Sequence, residues 1–107
     1  MSNHLKSERL PQLPTMAEGL SGEVEPEALT LDIVPQVVDD ILLVEEEDIR
    51  AAIAWLVEAH HLIAEGSGAV GIAALRSRSV DATLPTVAIV SGGNLDIEEL
   101  RRLLSSR

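Results

Sequence analysis

Apolar and polar positions fall into blocks along this chain, and their spacing changes from helical to strand-like and back. Residues 29–38 carry apolar side chains at Leu29, Ile33, Val34, Val37 and Val38, a helical spacing. Pro35 lies inside that block, so the helix is expected either to start late, with Thr30 or Asp32 as its cap, or to kink. Ile41-Leu42-Leu43-Val44 is a continuous apolar run and reads as a buried strand. The acidic run Glu45-Glu46-Glu47-Asp48 then opens a second helix, to about His60, with Ile49, Ile53, Leu56 and Val57 on one face. Trp55 falls off that stripe and is expected to pack against another element or another chain. Leu62-Ile63-Ala64 is a short apolar segment, and residues 69–75 are apolar nearly all round, the pattern of a buried helix.

A polar loop over 76–84 leads to Pro85 and Thr86-Val87-Ala88-Ile89-Val90, a short run suited to a strand buried on both faces. Ser91-Gly92-Gly93-Asn94 ends it abruptly, and either Asn94 or Asp96 can cap a last helix with apolar positions Ile97, Leu100, Leu103 and Leu104. Residues 1–28 are broken by Pro11, Pro14, Pro26, Gly19 and Gly22 and read as an extended lead-in to a unit spanning 29–107. The order helix, strand, helix, short strand, helix, strand, helix predicts an α/β fold, a partial parallel sheet flanked by helices.

Composition narrows the functions this fold can serve. The 107 residues are 46% hydrophobic, with Trp55 as the sole aromatic, so the core is built from Val, Ile, Leu and Ala. A net charge of −10 argues against nucleic acid and anionic membrane surfaces as partners. There is no cysteine for a disulfide, a thiolate metal site or a nucleophile. No run reaches transmembrane length and the first residues are polar, from which a cytoplasmic protein is expected. Lys6 is the single lysine, in a polar terminal run where it keeps its proton and makes a poor Schiff-base nucleophile.

Strands of open α/β sheets deliver ligand-binding turns at their carboxyl ends, which makes Ser91 the leading candidate for a ligand-facing side chain. Gly92 and Gly93 beside it allow positive φ and close backbone approach. A tight connection without ligand fits that spacing equally well. Residues 66–71 match G-x-G-x-x-G, but Glu65 would repel a pyrophosphate there, and no acidic residue closes a second strand about twenty positions later. Small residues for close helix packing explain the motif better than a dinucleotide does. His60 and His61 point about 100° apart on a helix and cannot easily share an ion. The run 45–48 reads as a solvated first turn rather than a metal site, so no metal is expected. Glu65, between an apolar segment and a buried helix, is either an exposed loop carboxylate or a buried one that must be paired, protonated or facing a polar ligand.

Four of these segments together resemble one family. Thr15-Met16-Ala17-Glu18-Gly19-Leu20 is similar to the T-[ILM]-A-[DE]-G-L stretch of threonine dehydratases, and the segment from Val38 to Ile49 resembles their V-D-D-[IV]-x-x-V-[ST]-[DE]-[DE]-[DE]-I. Glu65-Gly66-Ser67-Gly68-Ala69-Val70 resembles their E-[GP]-[AS]-G-A-[AV] turn, and Ser91-Gly92-Gly93-Asn94-Leu95-Asp96 their S-G-G-N-[IL]-D. The order and spacing also agree. The resemblance runs from about Leu5 onward and is to the carboxyl-terminal third of the catalytic domain in fold-type II pyridoxal-phosphate enzymes of the threonine dehydratase and serine racemase group.

That resemblance implies an incomplete version of the three-layer fold of the tryptophan synthase β type, with pyridoxal 5′-phosphate as cofactor. It implies that Ser91 hydrogen-bonds the pyridine nitrogen and leaves it largely unprotonated, and that Glu65 lies beside the ring. Gly19 would come near the cofactor and substrate, with Gly92 in the cofactor-facing turn. The family's Schiff-base lysine, ring-stacking asparagine, phosphate cradle and cation ligands belong to a part upstream of Met1. Two positions depart from the pattern: Glu45 replaces the usual Ser or Thr helix cap, and Pro35 interrupts a helical segment. The function expected is that of a carboxyl-terminal fragment of a threonine or serine dehydratase, an ammonia-lyase giving a 2-oxo acid. Such a fragment is expected to be inactive alone, with no catalytic residue of its own. A separately encoded amino-terminal half is the partner expected, a small amino acid the substrate, and the parent family is dimeric or tetrameric. The alternative is a non-catalytic module that binds a small ligand or complements another chain.

Overall fold

The computed structural model describes residues 11–106; Lys6 lies outside them. It contains a 3₁₀ turn at Glu18–Leu20 and four helices, α1 (Leu29–Val37), α2 (Glu46–His60), α3 (Gly66–Arg76) and α4 (Ile97–Ser105). The core lies where α2 meets α3 and α4. Ile53, Ala52, Ala69 and Ala73 are fully buried there, joined by Ile49, Leu56, Leu100 and Leu103. Alanine and glycine on α3 let its backbone come close to α2, so a small core is filled without any Phe or Tyr.

Each helix end has a local cause. Glu45 precedes α2 without making a side-chain cap bond, as its departure from Ser or Thr implies, while Glu46, Glu47 and Asp48 fill the first turn. His61 takes the left-handed conformation at φ 57°, and the N–H of Leu62 reaches back 3.1 Å to the carbonyl of Leu56. With the His61 N–H donating to Val57 O at 3.1 Å, this αL closure gives the second histidine a backbone role. The ring of His60 stands edge-on to Trp55 at 4.6 Å, and the Arg76 guanidinium lies 4.9 Å over the same indole. Trp55 therefore packs across α2 and α3, another element of the same chain. Asp96 caps α4 by accepting the Glu98 N–H at 2.7 Å, which decides between the two candidate caps.

Two expectations are corrected. Helix α1 starts at Leu29, after Ala28 and without a side-chain cap, so Pro35 lies in its interior rather than in a first turn opened by Thr30 or Asp32. Proline has no N–H for the Leu31 carbonyl. Neighbouring groups continue the helix around it: Gln36 Nε2 donates to Asp32 O at 2.8 Å, and Val38 N to Val34 O at 3.0 Å. The helix buries no residue, so water can reach the orphaned carbonyl.

The second correction concerns the sheet. Among the described residues no strand forms at 41–44, 62–64 or 86–90. These segments keep the apolar composition of strands but have no ladder partner; Ala64 is buried in the core and Val44 packs against it, while Leu43 is 91% exposed, Val87 93% and Ile89 81%. A strand needs a neighbouring backbone about 4.8 Å away, which a segment's own composition cannot supply. The segments before α3 and α4 are joined by a single backbone hydrogen bond, Glu65 N to Gly92 O at 3.2 Å.

Candidate functional site

Two glycines fix the architecture around the start of α3. A Cβ on Gly66 would overlap the backbone of Met16, and one on Gly68 would overlap the Ser91 carbonyl. The segment 15–20 and the turn 91–94 therefore pack on the first turn of α3, backbone against backbone. This is the close-packing role expected of the G-x-G-x-x-G pattern.

Glu65 links the parts. Its N–H donates to Gly92 O at 3.2 Å, and its Oε2 accepts the N–H of Asn94 at 3.2 Å. Its carbonyl receives the N–H groups of Gly68 and Ala69 at 3.0 and 3.1 Å, opening α3. The side chain is half-buried. Gly92 has φ 70°, and a Cβ there would run into the Glu65 carboxylate, so both conformation and contact require glycine. Of the readings open for Glu65, this is the paired one.

A cleft of about 390 Å³ opens at this junction, lined by Met16, Glu18, Gly19, Glu65, Gly66, Ser67, Asn94, Leu95 and Glu99. Gly19 stands opposite Ser67, whose Oγ is 2.8 Å from where a Cβ on Gly19 would lie. Of the four residues singled out from the sequence, Gly19 and Glu65 line the cleft and Gly92 touches the Glu65 carboxylate. Ser91 lies beside it, its backbone on Gly68 and its side chain exposed, with no hydrogen bond from its hydroxyl to a described residue.

Sequence reasoning missed one contributor. Thr15 Oγ1 donates to Glu46 Oε1, and Met16 N donates to Glu46 Oε2 at 3.0 Å. The Met16 amide first and the Thr15 hydroxyl second hold the Glu46 carboxyl below its ordinary range. The partners are about thirty positions apart, and nothing in the local pattern of either segment indicates the pairing.

The sequence matches the family described as pyridoxal-phosphate dependent enzyme over residues 2–92. The chain belongs to that family. It is 40% identical over 101 residues to an L-threonine ammonia-lyase of Thermotoga maritima, covering 94% of this chain and 25% of that protein. An L-threonine ammonia-lyase of Geobacter sulfurreducens is 41% identical over 93 residues, 86% of this chain and 23% of the relative. A catabolic L-threonine dehydratase of Escherichia coli is 38% identical over 92 residues, 83% and 28% of the two lengths. The chain thus spans about a quarter of the curated relatives it matches.

Family membership makes pyridoxal phosphate the cofactor to test against these residues. The wall formed by Ser91, Gly92, Gly93 and Glu65 suits the ring edge, because it offers an uncommitted hydroxyl and a carboxylate held in place by an amide. It does not suit the phosphate. Glu18, Glu65 and Glu99 line the cleft and, among the described residues, no basic one does. Among the described residues no helix is long and apolar enough to cross a membrane.

Proposed function

We propose that this chain is the carboxyl-terminal part of a cytoplasmic pyridoxal-phosphate-dependent lyase that converts L-threonine or L-serine to a 2-oxo acid and ammonia. The observation that carries the reading is the junction of Glu65 with the turn 91–94, which brings two separately recognised motifs into one wall beside a cleft. When bound, the cofactor supplies an electron-withdrawing ring that acidifies the substrate α-carbon.

The residues of this chain do the rest of the work assigned to it here. Ser91 Oγ hydrogen-bonds the ring nitrogen as a neutral partner, which leaves that nitrogen without a full positive charge. Glu65, anchored by Asn94 N–H, holds the turn and limits water at that side of the ring. Gly19 and Gly92 keep the wall free of side chains where the ring and substrate approach. The amine nucleophile and the cation for the phosphate come from the upstream part of the protein or from a separately encoded partner. The outward-facing Leu43, Val87 and Ile89 support this, since a sheet completed by that part would bury them.

The test is threonine-dependent 2-oxo acid formation with added pyridoxal phosphate, on the chain alone and with its upstream-encoded neighbour. Activity only in the mixture, reduced by Ser91→Ala, is the expected result. Turnover by the chain alone that survives Lys6→Ala would refute it. A chain that melts cooperatively as a monomer and never gains activity would favour the non-catalytic module instead.

A further inference from the structure

We propose that Glu46 is a positioning residue for the cleft: its carboxylate clasps residues 15–17 to the first turn of α2 and so sets where Gly19 meets Ser67. Each carboxylate oxygen has its own donor, Thr15 Oγ1 on Oε1 and the Met16 amide on Oε2. Thr15 Oγ1 in turn accepts the Ala17 N–H at 3.0 Å, so three consecutive residues are tied through one side chain. Ala17 is buried in the core, and its carbonyl accepts the Leu20 N–H at 2.9 Å, which forms the turn that carries Gly19. On the other side of the same segment the Met16 backbone rests against Gly66. The clasp therefore fixes one edge of the cleft from α2 while α3 fixes the floor.

Complementing the helix dipole does not explain Glu46 alone, because Glu47 and Asp48 share that first turn and would serve equally. The double acceptance is that of a carboxylate; a side chain without acceptor oxygens, such as methionine, can hold neither the Met16 N–H nor the Thr15 hydroxyl. The inference takes its significance from the cofactor-wall reading, but its test needs no cofactor, so the two can fail separately.

The test is site-resolved hydrogen exchange on the full 107-residue chain at pH 7, following the amides of Met16, Leu20 and Ile53. Glu46→Met is expected to lower protection at Met16 and at Leu20 by about tenfold, the scale of one lost hydrogen bond to a charged acceptor. Ile53, in the α2 core, should be unchanged. Thr15→Val, which removes the bonds to Glu46 Oε1 and from the Ala17 N–H but leaves the Met16 bond, should lower protection at Leu20 with a smaller loss at Met16, and Thr15→Ser should restore it. Loss at Met16 without loss at Leu20 would overturn the proposal, since the clasp would then fix nothing beyond itself. Equal loss at Ile53 in both variants, or no protection at Met16 in the unmodified chain, would overturn it as well.

Discussion

Gly68 and Gly71 lie one turn apart on α3, and the structure assigns them opposite responses to the same methyl group. A Cβ at position 68 would occupy the space of the Ser91 backbone carbonyl, which cannot swing aside as a side chain tip can. Gly68→Ala must therefore push the turn 91–94 away from α3. That turn is held by Glu65 N to Gly92 O and by Asn94 N to Glu65 Oε2, both 3.2 Å. Losing the two bonds costs about 2 kcal/mol at about 1 kcal/mol each. Replacing a helical glycine by alanine returns at most about 1 kcal/mol, so Gly68→Ala is destabilising by about 1 kcal/mol. At position 71 the new Cβ would meet Ala88 Cβ at 3.6 Å and Ile89 O at 3.8 Å, ordinary contact distances. Gly71→Ala keeps the propensity gain without an opposing loss and is stabilising by up to about 1 kcal/mol. Urea unfolding followed by far-ultraviolet circular dichroism separates the two. With a slope of about 1–1.5 kcal/mol/M for a chain of this size, their midpoints should differ by about 1–2 M. Midpoints that move together, or a Gly68→Ala midpoint above that of Gly71→Ala, would refute the packing of the turn on α3.

The same contrast applies inside the turn. Gly92→Ala faces both a left-handed backbone and the Glu65 carboxylate, whereas a Cβ on Gly93 meets only Ile63 O at 3.6 Å; Gly92→Ala should lower the unfolding midpoint by more, the backbone share alone being about 1–2 kcal/mol. Acid should weaken the clasp at Glu46, whose folded-state pKa lies below its ordinary value of 4.5. Its stabilisation is full above that value and is lost as pH falls through the depressed one, so thermal melts between pH 7 and pH 3 should show a drop that is smaller in Glu46→Gln. The exposed run 86–90 should drive self-association, and replacing Val87 and Ile89 by lysine should reduce concentration-dependent sedimentation while leaving the helical signal unchanged.

How much of this was readable from the chain depends on where the cause of each feature lies. Helices α2, α3 and α4 were legible because their causes are local: an acidic first turn, apolar stripes, a capping residue at Asn94 or Asp96, which the structure decides for Asp96, and a run of small residues. Helix α1 was legible in position but not in its start, since Pro35 argued for a later cap than the backbone uses. The sheet was not legible in the same sense. The runs 41–44, 62–64 and 86–90 have strand composition, yet pairing is a property of two segments, and the described residues offer them no partner. Of the candidate site, the spacing drew attention to Glu65 and to residues 91–94 but left the pairing of Glu65 open, and the hydrogen bond to Asn94 closes it. The Thr15–Glu46 bond had no sequence signal at all, because each residue has an ordinary local explanation, as a loop hydroxyl and a first-turn acid.

The charge of the cleft constrains how a cofactor can use it. Glu18, Glu65 and Glu99 converge on one opening, with no basic residue among the described residues that line it. A phosphate dianion gains nothing there and would pay desolvation against like charge. A neutral hydroxyl such as Ser91, which acts by a single hydrogen bond rather than by charge, suits the uncharged edge of a heteroaromatic ring. On the proposed reading the division of labour follows from the electrostatics: these residues would shape and bond the ring, and a cation outside the described residues would hold the phosphate. Placing a positive charge in this cleft, for example by Glu99→Lys, should therefore leave the contribution of this wall to ring binding unimproved. A large gain in affinity for pyridoxal phosphate over pyridoxal on that substitution, measured on the assembled protein, would show that the phosphate faces this cleft and that the assignment of the ring to it is wrong.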